Sequence, residues 1–254
     1  GFDQPVRPVS AEAAKEFGSD AFQAKHAGGR HQNLPTVHPG EGQVQLRNFA
    51  QHAPVVREWL HESCAAEVVG QLMRAAHVRY WMDATFIKEG HAEGSATPWH
   101  NDECTFPFQG QMMPSFWVAL TDVDEDNAPM ITLAGSNKDP HRYHSPMSRQ
   151  DVTVEGHLPW EHLVARTQAP DADIRVWPCR KGDILLIHPR TIHASAPRRS
   201  KQAGRRIALT TRWLGDDVYW AANPLSIVLP ISDQMTPGAP PPDEHFPIIW
   251  RRPG

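Results

Sequence analysis

Apolar residues recur at a spacing of four early in the chain and alternate with polar ones further on. The spacing of four covers residues 52–76. Its apolar positions are Val56, Leu60, Cys64, Val68 and Leu72. This period predicts a helix with one face buried against a sheet. An earlier helix is predicted at residues 10–17, where Ser10 opens the segment SAEAAKEF and suits a helix N-cap.

From residue 78 onward, short segments rich in β-branched and aromatic residues predict strands. These segments are VRYWMDATFIKEG (78–90), SFWVALTDV (115–123), MITLAGSNK (130–138), IRVWPCRKGDILLIHPRTIHASAP (174–197) and RRIALTTRWLG (205–215). About eight short strands after one or two helices predict a mainly β fold of the α+β type. We expect an antiparallel sandwich or jelly roll with flanking N-terminal helices on one side.

The length of 254 residues fits one domain. We expect a helical layer over residues 1–78, a jelly-roll core over 79–220 and a proline-rich tail over 221–254 that wraps the surface without forming elements. The segment GGRHQNLPTVHPGEG (28–42) is expected to be loop. An irregular insert at 138–172 interrupts the core, and we expect this insert and the tail to form a lid over a binding site.

Composition excludes several classes of function. Hydrophobic residues make up 40% and charged residues 21% of a chain with net charge −4, which gives no general attraction to nucleic acid or anionic membrane. The longest apolar runs are too short to span a bilayer. The three cysteines, which lack CxxC spacing, indicate neither a zinc finger nor a disulfide framework. We therefore expect a cytoplasmic protein, monomeric or homodimeric, whose partner is a small-molecule substrate.

The motif TPWHND at residues 97–102 pairs a histidine with an acidic residue. If the motif ends a strand, His100 and Asp102 point to the same face and lie side by side. They would supply two of the three ligands of a two-histidine, one-carboxylate iron site. In a chain with 15 histidines, one such pair is weak evidence, and the third ligand must come from a distant strand.

Further motifs reveal a resemblance to a known family. KEG precedes TPWHND, SFWVALTDVDEDNAPMITLAGSNK follows it, and GDILLIHPRTIHASAP is followed by RRIALTTRW. Over about residues 80–215 this pattern resembles the phytanoyl-CoA dioxygenase family of Fe(II)- and 2-oxoglutarate-dependent oxygenases. The resemblance implies a double-stranded β-helix (cupin-like) core, with Fe(II), 2-oxoglutarate and O₂ as cofactors. In the family pattern the histidine before Ala-Ser is the metal ligand, so His193 joins His100 and Asp102 in the catalytic metal site.

The co-substrate requires a cation, because the far carboxylate of 2-oxoglutarate would be buried. The resemblance places an arginine about eleven residues beyond His193. Arg205 lies twelve and Arg206 thirteen residues beyond it. Arg205 shares strand parity with the apolar Ile207 and Leu209, so we expect it to point inward and bind the co-substrate, with Arg206 as the alternative.

Two further residues match family positions around the co-substrate. Ser195 matches one whose hydroxyl binds the same carboxylate, and Trp117 matches an aromatic residue that lines the pocket. Together with Trp99, Phe106 and Phe108, Trp117 predicts an apolar pocket wall.

The resemblance also implies the reaction. Related halogenases lack the carboxylate ligand, so Asp102 favours hydroxylation of an unactivated C–H bond, with release of succinate and CO₂. Desaturation, ring formation and epimerisation would use the same ligands. The expected substrate is a small, largely apolar molecule, a secondary metabolite.

Two other classes of function remain open. One is a metal-dependent cupin-type enzyme that needs no 2-oxoglutarate, which indifference of turnover to Arg205→Ala would favour. The other is a non-catalytic small-molecule binding module, which a failure to bind iron or 2-oxoglutarate would favour.

Overall fold

A computed structural model describes residues 36–38, 43–51, 53–89, 96–148, 151–199 and 204–254. The described residues form three α-helices: α1 (Pro54–Glu62), α2 (Ala65–Met73) and α3 (Trp160–Thr167). The strands of the described residues are β1 (Thr36–His38), β2 (Gln43–Arg47), β3 (His77–Lys88), β4 (Thr97–His100), β5 (Phe108–Gln109), β6 (Ser115–Ala119), β7 (Met130–Leu133), β8 (Arg142–Tyr143), β9 (His157–Leu158), β10 (Ile174–Trp177), β11 (Ile184–Ile187), β12 (His193–Ser195), β13 (Arg206–Leu214), β14 (Tyr219–Trp220) and β15 (Ile248–Arg251).

The larger sheet has seven antiparallel strands in the order β1-β2-β3-β13-β6-β11, with β15 also paired to β3. Its outer face is apolar and packs against α1 and α2. This part of the core contains Leu60, Val69, Phe116, Val118 and Trp213. Because side chains alternate along a strand, the neighbours of these residues, such as Ser115 and Trp117, face the interior between the sheets.

The smaller sheet is antiparallel, with the order β10-β7-β12-β4. Its outer face packs against α3 through Trp99, Ile131, Leu163 and Ala194. Its inner face approaches the larger sheet closely enough for Lys88 of β3 to donate to side chains of β4 and β12. Two facing antiparallel sheets with helices outside confirm the predicted mainly β jelly roll.

The long predicted helix is two helices. It breaks at Ser63 and Cys64, and α2 then buries Ala65, Ala66, Val69 and Gly70. The prediction of one continuous buried face was therefore wrong for the C-terminal half of the segment, where Cys64 and Leu72 are exposed. A break shifts the helical phase, which spacing alone does not reveal.

Two segments predicted to lack regular structure contain elements. Within the insert at 138–172, α3 covers the smaller sheet, and β8 pairs in parallel with β9. Within the segment expected to be loop, β1 pairs with β2. The helix predicted at residues 10–17 lies outside the described residues.

The proline-rich tail also contributes a strand, since β15 pairs with β3 at the edge of the larger sheet. The expectation that the tail forms no elements was wrong. Ile227, Leu229 and Phe246 are buried in an apolar cluster with Trp81 and Phe108. None of the helices in the described part of the chain is long and apolar enough to cross a membrane.

Candidate functional site: a metal centre between the two sheets

Two neighbouring strands of the smaller sheet bring the two histidines together. His100 ends β4 and His193 begins β12, and the two residues are directly paired in the ladder. Their ring centroids lie 4.2 Å apart, and both side chains are buried. One ligand atom from each histidine and one from Asp102 all lie within 4.8 Å of one another.

Asp102 reaches this group through a turn, not through the strand continuation we expected. Strand β4 stops at His100, and Asp102 has helical dihedral angles (φ −81°, ψ −27°) at the start of a short 3₁₀ helix. The backbone N–H groups of Asp102 and Glu103 donate to the carbonyl of Pro189, at 2.9 and 3.1 Å. These bonds join the turn after β4 to the loop before β12, so the loops that carry the acidic residue and the distal histidine hold each other in place.

Backbone carbonyls orient both imidazole rings. Nδ1 of His100 lies 2.7 Å from the carbonyl of Pro98, and Nδ1 of His193 lies 2.9 Å from that of Thr191. Because a carbonyl can only accept, each Nδ1 carries the proton and each Nε2 offers a lone pair. Nε2 of His100 lies 3.7 Å from Oδ1 of Asp102. Two imidazole nitrogens and one carboxylate oxygen form the ligand group typical of non-haem Fe(II).

The protonation states suit metal binding. Burial, with His193 nearby, lowers the pKa of His100 to about 3, so its ring is neutral at physiological pH. Burial opposes ionisation of Asp102, but Arg212 and the two histidines outweigh it and lower the pKa of this carboxyl. Neutral imidazoles and an ionised carboxylate are the forms that bind a metal ion.

A second group of polar residues fits the far carboxylate of 2-oxoglutarate. Lys88 and Arg206 are paired across β3 and β13, are almost fully buried, and both donate to Oγ of Ser195, at 2.8 and 3.0 Å. Lys88 also donates to Thr97, and Arg206 to the carbonyl of Ala128. No carboxylate of the described residues pairs with either cation. Two buried cations beside a hydroxyl are a strong site for a ligand carboxylate.

The preference for Arg205 was wrong about which arginine points inward. Arg205 lies on the surface and forms an ion pair with Glu89, whereas Arg206 is 3% exposed. The inner face of β13 carries Arg206, Ala208, Thr210 and Arg212, all buried. The more polar face of β13 thus lines the interior, because the site itself is polar.

The other two predicted co-substrate residues lie next to Arg206. Ser195 is two residues beyond His193 on β12 and contacts the guanidinium directly. The Trp117 ring, on β6, has its centroid 5.5 Å from Cζ of Arg206. The indole face can therefore hold the guanidinium in place by a cation–π contact.

The predicted aromatic pocket wall is only partly present. Trp99 packs outward against Leu163 under α3, because alternation on β4 puts it on the face opposite to His100. Phe108 packs against Trp220 and Phe246 of the tail. Phe106 does face the site, where its ring lies 5.4 Å from Cζ of Arg212.

Sequence reasoning missed three basic residues of the interior: Lys88, Arg212 and Arg47. Lys88 ends an apolar strand on the inward parity, which is a usable signal for a buried lysine. Arg212 follows Arg206 by an even number of residues, so the same parity would have placed both on one face once Arg206 was chosen.

Comparison with known proteins agrees with this geometry. The family model of phytanoyl-CoA dioxygenase (PhyH) matches residues 5–207. A curated relative, the dioxygenase olcK of Penicillium canescens, is 24% identical over 204 residues, which are 76% of this chain and 59% of olcK. The chain thus spans about three fifths of the length of that relative.

Two similar solved structures come from nogalamycin biosynthesis. The epimerase SnoN, in complex with Fe³⁺, α-ketoglutarate and nogalamycin RO, superposes with a TM-score of 0.64 at 18% identity, covering 96% of this chain and 93% of SnoN. The α-ketoglutarate-dependent carbocyclase SnoK has a TM-score of 0.63 at 19% identity, covering 94% and 88%. These likenesses confirm the predicted jelly-roll fold.

The match of the family model covers most of the chain, and the structure brings a histidine–aspartate–histidine group together inside the jelly roll. The predicted cofactors, Fe(II), 2-oxoglutarate and O₂, are those of the matched family. The chain belongs to the phytanoyl-CoA dioxygenase family of Fe(II)- and 2-oxoglutarate-dependent oxygenases.

Proposed function

We propose that this chain hydroxylates an unactivated C–H bond of a small molecule, with conversion of 2-oxoglutarate and O₂ to succinate and CO₂. The observation that carries the proposal is the convergence of His100, Asp102 and His193 within 4.8 Å, with both Nδ1 atoms already bound to carbonyls. When bound, iron would activate O₂ and so couple the oxidation of 2-oxoglutarate to that of the substrate.

The residues of the chain have separate roles in this proposal. Nε2 of His100, Nε2 of His193 and the Asp102 carboxylate hold the metal on one side and leave the other side open. Lys88, Arg206 and Ser195 bind the far carboxylate of 2-oxoglutarate, and Trp117 supports Arg206. This division gives each cofactor its own set of buried ligands between the two sheets.

The first experiment measures cofactor binding without turnover. Fe(II) is added to the protein under nitrogen, followed by 2-oxoglutarate, and the visible absorption of the chelated co-substrate is recorded. We expect His193→Ala to abolish the signal, and Arg206→Gln to raise the 2-oxoglutarate concentration needed at least about tenfold, because a charge-assisted contact is lost. His188→Ala and Arg205→Gln are matched controls, since His188 lies outside the group of three and Arg205 lies on the surface.

The outcomes separate the proposal from its alternatives. A protein that binds iron but not 2-oxoglutarate would be a cupin-type enzyme of another kind, and one that binds neither would be a binding module. Equal effects of Arg205→Gln and Arg206→Gln would reject the assignment of Arg206.

The product distinguishes hydroxylation from the other reactions of similar proteins. SnoN is an epimerase and SnoK a carbocyclase, so the shared fold does not determine the outcome. Asp102 occupies the carboxylate position and so argues against halogenation only; among the reactions that an intact triad supports, we propose hydroxylation as the default outcome. Incorporation of labelled oxygen from O₂ into the product supports it, and a product without that oxygen contradicts it.

The relatives also support the class of substrate. Because SnoN and SnoK act in nogalamycin biosynthesis, we propose a secondary metabolite as the substrate of this chain.

The cysteines bear on the location of the protein. All three are free thiols, which supports the proposed reducing, cytoplasmic location.

A further inference from the structure

Arg212 is a buried arginine beside the metal site that the proposed reaction does not use. It lies on the inner face of β13 and is 7% exposed. Its Cζ lies 5.4 Å from the centroid of the Phe106 ring, and its Nη2 lies 3.6 Å from Oδ2 of Asp102. That oxygen already accepts a hydrogen bond from Oγ of Ser115, at 3.2 Å.

Most of the hydrogen-bonding capacity of Arg212 is unused. Its Nε and Nη1 atoms are buried and have no hydrogen-bond partner among the described residues. A guanidinium cannot give up its proton to escape burial, so these donors remain charged and desolvated. Arg206 differs, because its Nε and Nη2 donate to Ala128 and Ser195.

A second arginine increases the positive charge at this end of the site. Arg47 of β2 is paired with Ala84 of β3, two residues from Met82, the partner of Arg212. Burial and the proximity of Arg212 lower the pKa of Arg47 to about 10. Asp102 acts on both arginines, and its carboxylate would also hold the metal.

A carboxylate on the neighbouring strand, Asp83, already accepts several hydrogen bonds. Asp83 of β3 accepts hydrogen bonds from the backbone N–H groups of Phe49 and Ala50 and from the hydroxyl of Tyr80. It therefore fixes the turn after β2.

The far carboxylate of the co-substrate binds at the other end of β13, beside Arg206. Arg206 and Arg212 are six residues apart on one strand, which corresponds to about 20 Å along β13. This separation is far longer than the five-carbon chain of 2-oxoglutarate. Ser195 marks the Arg206 end and Ser115, with Asp102, the Arg212 end. Arg212 thus lies at the metal end of the interior, beside Asp102 and away from the group that binds the far carboxylate.

We propose that Arg212, assisted by Arg47, binds an anionic group of the substrate, a carboxylate or a similarly delocalised oxyanion, beside Asp102. The identification of this ligand as the substrate rests on the proposed function. An acidic group held here would satisfy the unused donors of Arg212 and fix the position of the substrate relative to the metal. The substrate is accordingly an acid with an apolar body, not the largely apolar molecule predicted from the aromatic residues.

The test measures binding of simple acids to metal-free protein, which does not depend on turnover. All variants carry Lys88→Met and Arg206→Gln, which remove both cations of the co-substrate site and so its affinity for the probes. Acetate, hexanoate, benzoate and phenylacetate are titrated by calorimetry against their uncharged amides. We expect at least one acid to bind about tenfold or more tightly than its amide, and Arg212→Gln to remove that preference. Arg205→Gln, a surface arginine, is expected to change nothing.

Two further variants keep the test decisive. Arg212→Lys retains the charge with fewer donors, so we expect an intermediate preference for the acid over its amide. We expect Arg47→Gln to reduce this preference less than Arg212→Gln does. The proposal is overturned if no acid binds more tightly than its amide, or if Arg212→Gln leaves the preference unchanged and weakens only Fe(II) binding. In the second case, Arg212 merely positions Asp102. Failure of the natural protein, with Lys88 and Arg206 intact, to form succinate from 2-oxoglutarate with Fe(II) would instead reject the proposed function. The result of the acid titrations would still stand.

Discussion

At the scale of single residues, the interior of this protein is unusual for its buried positive charge. Lys88, Arg206 and Arg212 are each at most 7% exposed, and none of them has a full set of acidic partners among the described residues. Burying such groups costs free energy of folding. This cost is typical of a site prepared for anionic ligands, which supply the missing charge on binding.

Lys88 provides a direct test of that cost. Burial, followed by repulsion from Arg206, lowers the pKa of Lys88 well below the usual lysine value. We expect Lys88→Met to stabilise the ligand-free protein by about 1 kcal/mol and to weaken 2-oxoglutarate binding at least about tenfold. Urea unfolding and 2-oxoglutarate titration measure the two effects.

The pH dependence of Lys88→Met has a definite sign. Between the lowered pKa in the folded protein and the ordinary pKa in the unfolded chain, the unfolded state binds more protons, so the stability of the natural protein rises with pH. The advantage of Lys88→Met should therefore shrink as the pH approaches the ordinary lysine pKa. Exposed Lys138→Met is the control, and a gain that is equal for both variants would contradict the explanation.

The choice between Arg205 and Arg206 shows a limit of residue-scale reasoning from sequence. The triad could be predicted because the HxD and H-A-S motifs carry its chemistry. Alternation divides β13 into two faces, and hydrophobicity led us to expect the face with Ile207 and Leu209 in the interior. The face with Arg206 and Arg212 lies there instead. At a functional site the buried face can be the polar one, so burial cannot be deduced from polarity there.

At the scale of elements, strands were predicted well and interruptions poorly. The segments 78–90 and 205–215 became β3 and β13, because alternation is a strong signal in a half-buried sheet. The break between α1 and α2 and the strand β15 in the tail have no comparable local signal. β15 instead forms through distant contacts, its pairing with β3 and its packing against α2.

Gly70 of α2 is where that contact can be tested. A Cβ built at Gly70 would lie 2.3 Å from Cζ3 of Trp250 on β15, so any larger residue must displace the indole. Gly→Ala normally stabilises a helix, but here we expect Gly70→Ala to destabilise the protein by about 1–3 kcal/mol. Thermal unfolding measures the effect.

A double variant isolates the contact. Trp250→Leu removes the indole, so adding Gly70→Ala to it should cost little or be stabilising. Gly204→Ala is the matched control, because no atom lies within 4 Å of its Cβ position. A loss for Gly70→Ala that is the same with and without Trp250 would show that the docking of the tail is not its cause.

At the scale of the whole molecule, the candidate site joins the two sheets. The smaller sheet supplies His100, His193 and Ser195, and the larger sheet supplies Lys88 and Arg206. Metal and co-substrate together would therefore connect elements that are far apart in the chain. Because ligands that bind only the folded state stabilise it, the cofactors should act on global stability.

Calorimetric unfolding with a redox-silent metal ion tests this coupling. We expect Zn(II) at a hundred times its dissociation constant to stabilise the protein by about 2.7 kcal/mol. Addition of 2-oxoglutarate should add more in the presence of Zn(II) than in its absence, since the co-substrate would contact both the metal and Arg206. His193→Ala should remove the effect of the metal, and Arg206→Gln only the additional effect of 2-oxoglutarate. Stabilisation by Zn(II) that survives His193→Ala would place the metal elsewhere, and strictly additive effects of the two ligands would mean that they bind independently.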